Sequence, residues 1–226
     1  MTLNKLEPGA LVADQVFDAI HQGITNGDLA AGQRLRIRDL ADQLGTSVMP
    51  VRDAIRRLEE SGLVETIPYR GAVVRAFTAH ELLNVYAVRR ILEVEAGKLG
   101  VVNLDKPELA VLKDQYDSMK SALAGGDLAA CIALDEKFLS TIYLASGNPV
   151  LFETIERLWI QCRAYKLIGA RRAVAEGKSR LLWEYQSKIL KAVKSHDVDL
   201  IAELTDQSIL AAMERIRQAL PSAAQD

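Results

Sequence analysis

The stretch RDLADQLGTSVMPVRDAIRRLEESGL, Arg38 to Leu63, leaves the chain few ways to fold. Leu40, Ala41, Leu44, Val51, Ile55 and Leu58 recur at helical spacing, so each of two short helices can bury one face. Gly45 interrupts the pattern after Leu44. Thr46 or Ser47 then offers an N-cap oxygen, and Pro50 falls within a first helical turn, where a missing N–H costs little. The second helix therefore starts near Val48. With its apolar face turned inward, Val48, Met49, Arg52 and Arg56 remain outside near the helix N-terminus. A helix-turn-helix presents its recognition helix to the major groove in this way.

The net charge of −2 argues against a nucleic-acid binder, but the average conceals a local excess. Residues 34–57 hold Arg34, Arg36, Arg38, Arg52, Arg56 and Arg57 against Asp39, Asp42 and Asp53. Such a patch can track phosphates on an otherwise acidic protein. The chain is 226 residues long and 49% hydrophobic, enough for a sizeable core, and its 5% aromatic content beside abundant Ala and Leu favours helices. No apolar run is long enough to span a bilayer, and the N-terminus lacks a basic segment followed by an apolar one. A cytoplasmic protein without membrane contact is expected. Cys131 and Cys162 have no metal-ligand or redox spacing and read as reduced core thiols.

Before this motif, Val12, Val16, Ile20 and Ile24 mark a helix from about Leu11 to Asn26. After it, Gly62 ends the second helix, Leu63 to Ile67 has strand composition, Pro68-Tyr69-Arg70-Gly71 is a turn, and Ala72 to Phe77 returns. Three helices and a hairpin make a winged helix. At the wing tip, Gly71 allows close backbone approach to a groove, and Arg70 beside it suits the negative potential of a narrow minor groove.

Beyond Ala76 the pattern becomes helical throughout. Thr78 and Glu81 have capping-box spacing for a helix to about Gly100. Asp105 and Pro107 open a second, which stops at Gly125-Gly126. A third runs from Asp127 to Ser146-Gly147, and a fourth from Asn148-Pro149 to about Ile168, with Asn148 read as a cap. Gly169 to Gly177 is either a loop or a helical extension. Two more helices are predicted near Ser179 to Lys194 and Asp199 to Ala219. The chain is thus mainly α: a winged helix-turn-helix domain with a small β-hairpin wing over residues 1–76, and an all-α bundle of about six helices over residues 77–226.

LAAGQRLRIRDLADQLG, SVMPVRDAIRRLEESGLV and PYRGAVV together resemble the winged-helix domain of the GntR superfamily of bacterial transcriptional regulators. In the second half, VYAVRRILEVEA, LDEKF and SGNPVL resemble the FCD ligand domain found in one branch of that superfamily. The order and spacing fit over nearly the whole chain. The resemblance implies a homodimer that binds a double-stranded DNA operator and responds to a small effector in the helical domain.

Arg38, Ser47 and Arg52 match DNA-contacting positions of such proteins. Val48, followed by Met49, stands where many relatives have arginine; an apolar side chain there can lie against a thymine methyl but cannot pair with guanine N7 and O6. Arg52 either reads a guanine or clamps a phosphate. In the helical half, many FCD domains hold a divalent metal with one Asp and three His. Asp135 matches the aspartate, but the histidine positions align with Leu139, Gln186 and Ser208. The only histidines are His21, His80 and His196, so no metal cofactor is expected.

Asp135 lies on the side of its helix that carries Cys131, Ile132, Phe138 and Leu139. A carboxylate buried there needs a partner. Arg89 and Arg163 are the candidates, in helices that resemble pocket-lining elements of the family. The arginine then either supplies the positive element of a site for an organic anion or forms a plain internal salt bridge. Leu139 also makes the pocket more apolar, which suits a larger or less charged effector. An enzyme is not expected: Asp135 and Glu136 are neighbours on one helix and do not face each other, and no catalytic motif is present. The alternative to an effector-controlled regulator is a DNA-binding protein with no small-molecule switch. Repression is the commoner output among similar proteins, although the sequence does not separate it from activation.

Overall fold

Val16, Ile20 and Ile24 occupy one stripe of the first helix and are all buried, packed against a helix whose Val51, Ala54, Ile55 and Leu58 are buried in turn. These helices belong to a computed structural model that describes residues 9–219 and divides between Phe77 and Thr78 into two units. The first unit contains α1 (Gly9–Asn26), α2 (Ile37–Leu44), α3 (Val48–Glu60), β1 (Val64–Ile67) and β2 (Gly71–Val74). Gly45 ends α2 in the left-handed region, at φ 63°, which glycine adopts without steric cost. Val12 and Leu44 depart from the expected core: at the ends of their apolar stripes they are 38% and 39% exposed.

The start of α3 also differs from expectation. Ser47 has the extended backbone of an N-cap, yet its side chain makes no capping hydrogen bond. A cap oxygen normally accepts from the second or third helical N–H; the third residue is Pro50, which has none, and the N–H of the second, Met49, is not taken up by the cap. The hydroxyl of Ser47 is therefore left exposed to solvent at the helix start.

The wing is an antiparallel hairpin in the register Val64↔Val74 to Ile67↔Gly71. A bridge between Arg34 and Val73 adds a short third line to it. The connection after α1 donates from Gly32 and Leu35 to Val74 and Ala72, and Val74 donates back to the Gln33 carbonyl. The segment is too short for its sequence to show alternation. At the tip, Tyr69 is fully exposed, with a left-handed φ of 63° that non-glycine residues seldom adopt.

The second unit consists of α4 (Ala79–Val101), α5 (Lys106–Ala124), α6 (Leu128–Leu144), α7 (Pro149–Ala175), a 3₁₀ turn (Ser179–Leu182), α8 (Glu184–Lys194) and α9 (Val198–Ala219). Thr78 with Glu81 and Asp105 with Glu108 form complete capping boxes. Asp127 and Asn148 cap α6 and α7 by accepting from Ala130 and Leu151. Gly169 to Ala175, undecided from sequence, continues α7. Its arginines and alanines favour helix enough to carry the chain past one glycine, which costs about 1 kcal/mol. Conversely, the predicted helix from Ser179 starts as a 3₁₀ turn, and α8 begins only at Glu184.

Helix α4 packs along α9 and crosses α6. At that crossing Gly100 is indispensable, since a Cβ on it would sit 1.9 Å from the Ile142 carbonyl oxygen. Gly100, next to last in α4 and close to the helix end expected from sequence, is the residue that lets two backbones meet. Around it, Ala96, Phe138, Ile142, Tyr143, Ile155, Trp159 and Ile201 form the apolar core.

Candidate functional site

Packing of Val51, Ala54, Ile55 and Leu58 fixes which face of α3 looks outward. Arg52 and Arg56 are exposed on it, Met49 is 59% exposed, and Val48 is half-buried. The arginines of residues 34–57 are not equivalent. Arg57 Nη1 is 2.7 Å from Asp14 Oδ1 on α1, and its guanidinium lies 4.2 Å from the Phe17 ring centre. It is an internal brace. Arg56 pairs with Glu60 at 2.9 Å, and Arg36 faces Asp39 at 3.7 Å. Arg38 and Arg52 are exposed and make no ion pair or side-chain hydrogen bond among the described residues. Arg70 and Gly71 are exposed at the wing tip, where Gly71 has a φ of 74°. The unit thus presents uncommitted cations at α2, at the start of α3 and on the wing.

The helical unit encloses a cavity of about 100 Å³. That is several times the room one water requires. Arg89 and Glu93 reach it from α4, Asp135, Leu139 and Tyr143 from α6, Lys166 and Gly169 from α7, Trp183 and Gln186 from the start of α8, and Thr205, Ser208 and Arg215 from α9. Ile132, Ile168, Leu182, Ile189, Ile209 and Ile216 supply much of the apolar wall.

Two buried carboxylates organise the polar part. Glu93 Oε1 accepts from Arg89 Nε and Trp159 Nε1, each at 2.8 Å, and Oε2 accepts from the Tyr143 hydroxyl at 3.3 Å. Asp135 is paired with Lys166 through Oδ2 and accepts from Gln186 Nε2 through Oδ1 at 2.7 Å. Burial by itself would lower the Lys166 pKa, but Asp135 and Glu136 outweigh it and hold the ammonium above the ordinary lysine value. Arg89 is likewise desolvated, yet Glu93 raises it well above the usual arginine value.

The expected partners of Asp135 require correction. Arg89 belongs to Glu93, and Arg163 pairs with Glu136 outside the cavity wall. The cation on Asp135 is Lys166, one helical turn beyond Arg163. Of the residues expected in a ligand site, Arg89, Asp135, Leu139, Gln186 and Ser208 do share the cavity, and Arg163 does not. Lys166, Trp183 and Arg215 were missed. Nothing local in the sequence marks Lys166 over Arg163, because the choice depends on how α7 is rotated against α6.

The metal implied by the family does not fit these residues. Both Asp135 oxygens already have partners, one of them a cation, and Leu139 offers no lone pair. Gln186 turns its amide N–H₂ toward Asp135, and Ser208 offers only a neutral hydroxyl. Transition metals of such sites favour imidazole.

An exposed helix-turn-helix with a wing, followed by a helical unit with a polar-lined cavity, defines a DNA-binding protein that carries a ligand domain. The model for bacterial regulatory proteins of the gntR family matches residues 12–74, and the FCD domain model matches residues 84–211. The chain belongs to the GntR family of bacterial transcriptional regulators, in the branch with an FCD domain. The HTH-type transcriptional regulator McbR of Escherichia coli K12 is 30% identical over 86% of this chain and 90% of its own length. A probable D-xylose utilization operon transcriptional repressor of Paenarthrobacter nicotinovorans is 34% identical over 66% of each chain. The solved structure of E. coli McbR/YncC matches with a TM-score of 0.79 at 28% identity, covering 92% of this chain and 97% of that one. A GntR regulator from Rhodococcus sp. RHA1, at TM-score 0.75 and 22% identity over 92% of this chain and 99% of its own, shares the fold. GntR regulators bind DNA operators and FCD domains bind small-molecule effectors. These relatives are named as transcription regulators. Among the described residues, no helix is long and apolar enough to cross a membrane.

Proposed function

We propose that the protein is a homodimeric transcriptional repressor that reads a two-half-site operator and releases it when a small organic effector fills the cavity of the helical unit. The reading rests chiefly on the uncommitted cations of the first unit: among the described residues Arg38, Arg52 and Arg70 have no partner, while their neighbour Arg57 does. Charges left free in this way suit phosphates and guanine edges. Ser47, spared from capping, stands at the α3 N-terminus, where N–H groups and the helix dipole also favour a phosphate. Met49 and Val48 add an apolar surface for thymine methyl groups.

A homodimer is supported by α4, where Val88 (46% exposed), Ile91 (72%) and Leu99 (41%) lie along one side. A second copy would cover this stripe, and two-fold symmetry would place two winged helices on a pseudo-palindrome. Repression is the output named for the D-xylose relative.

Selection of bound sequences from a random DNA pool, with molar mass determined in the same buffer, tests the reading. Enrichment of a two-fold symmetric site by a species of twice the chain mass is expected. Recovery of no consensus, or a monomer on DNA, would overturn it.

A further inference from the structure

The polar groups of the cavity are unevenly satisfied. Glu93 and Asp135 have full partner sets, whereas Arg215 of α9 has no ion pair or hydrogen bond among the described residues. Two further atoms are fully buried without a hydrogen-bond partner among the described residues, the Trp183 indole Nε1 and the Gln186 Oε1. Both residues line the cavity, three positions apart at the start of α8. The orientation of Gln186 is dictated by chemistry: its Nε2 must face the Asp135 carboxylate, which accepts only, so Oε1 faces away. An unmet donor and an unmet acceptor therefore belong to residues that line the same cavity as Arg215. Buried polar groups in native proteins nearly always have partners, and each exception calls for an explanation.

Charge leads to the same conclusion. Arg89, Lys166 and Arg215 line the cavity against Glu93 and Asp135, so the described walls carry one positive charge in excess, and it resides on Arg215. Burial lowers the Arg215 pKa below the usual arginine value despite the opposing pull of Tyr86, Tyr185 and Asp135, the opposite of Arg89. A guanidinium remains charged near neutrality even so.

Resting on the reading of this cavity as the sensing site, we propose that its effector is a small organic monoanion held without metal. Its anionic group pairs with Arg215, and a hydroxyl or amide bridges Trp183 Nε1–H and Gln186 Oε1. A hydroxyl accepts from the indole and donates to the amide oxygen, and an amide does the same with its carbonyl and N–H. Lys166 is committed to the Asp135 carboxylate, so the ligand charge falls to Arg215. The aliphatic wall takes the body of the ligand. A dianion or trianion would bring negative charge with no cation to meet it, and a neutral ligand would leave Arg215 unpaired.

The test is thermal denaturation and calorimetric titration of the full chain, treated with EDTA, against butanoate, hexanoate and benzoate. Their hydroxy derivatives, the neutral primary amide of each acid, succinate and citrate complete the set. Monocarboxylates are expected to raise the melting temperature, hydroxylated ones most, with no change on adding nickel or zinc. Arg215→Gln should weaken them about tenfold or more, the loss of one charge-assisted pair. Trp183→Phe should weaken only the hydroxylated members. Arg215 holds no other residue in place, so its variant keeps the fold. Amides or citrate binding as well as the monocarboxylates, binding unchanged in Arg215→Gln, dependence on added metal, or no binding by any member would overturn the proposal. A monocarboxylate that binds through Arg215 yet leaves affinity for the selected operator unchanged would instead refute the sensing role and spare the site.

Discussion

Lys166 of α7 and Asp135 of α6 form a buried ion pair, and Gln186 of α8 closes it by donating to the second carboxylate oxygen at 2.7 Å. Three successive helices thus share one carboxylate. Removing one partner of such a pair leaves an uncompensated charge, which costs about 3 kcal/mol or more. Lys166→Met is expected to lower stability by that amount. Combining it with Asp135→Asn should recover much of the loss, because no buried charge then remains. Urea unfolding of the two single variants and the double variant gives the coupling directly, and strict additivity would contradict the pairing.

Two glycines should respond to alanine in opposite directions. At Gly100 the new methyl would meet the Ile142 carbonyl at 1.9 Å, so the α4–α6 crossing must open. Gly100→Ala should cost about 3 kcal/mol, the upper end of overpacking penalties. A Cβ at Gly169, within α7, meets nothing inside 4 Å. Gly169→Ala should stabilise the helix by about 0.5 to 1 kcal/mol. Denaturant midpoints with unchanged slopes would decide both.

The arginines of the first unit should separate into two groups. Arg52→Ala is expected to cost about 1 to 3 kcal/mol in operator binding while leaving the melting temperature alone. Arg57→Ala should do the reverse, losing about 1 kcal/mol of stability with its partly exposed Asp14 pair and its stacking on Phe17. Titration with salt should show wild-type affinity falling steeply, with the slope reduced in any variant that has lost a phosphate contact. An Arg52→Ala variant with wild-type operator affinity would exclude Arg52 from the interface.

Cys131 and Cys162 are buried free thiols, and desolvation pushes Cys131 up to about 12, with Asp135 adding to the shift. Neither should react with Ellman's reagent at pH 8 in the native protein, and both should react in guanidinium. An unfolded cysteine ionises near 8.5. Between that pH and the native value the unfolded state binds fewer protons, so stability falls as pH rises. Cys131→Ala should flatten this alkaline decline in melting temperature, and an unchanged profile would show that the thiol does not contribute.

The boundaries of α2 and α3 were legible because Gly45, Pro50 and the apolar spacing act within a few residues of one another. So were the capped starts at Thr78, Asp105, Asp127 and Asn148, each a local hydrogen-bonding signature. What escaped depends on distance. The bridge between Arg34 and Val73 joins segments that show no pattern separately. Asp135 could be recognised as a buried carboxylate needing a cation, but choosing Lys166 over Arg163 requires the rotation of α7 relative to α6. Asp135 and Glu136 are adjacent and point in different directions, so each takes its own cation from the facing helix. Trp183 and Arg215 carried no local signal either, since an indole or a guanidinium without a partner is defined only by what surrounds it.

The convergence of Arg89, Tyr143 and Trp159 on Glu93 ties α4, α6 and α7 into one rigid wall before any ligand arrives. Facing it, the start of α8 and Arg215 on α9 carry the groups whose bonding is incomplete. One side of the cavity is therefore bonded internally, and the other holds the unmet groups. Stiffness is built into one side, and whatever binds does its ordering on the other, so a signal from this chamber should leave through α8 and α9.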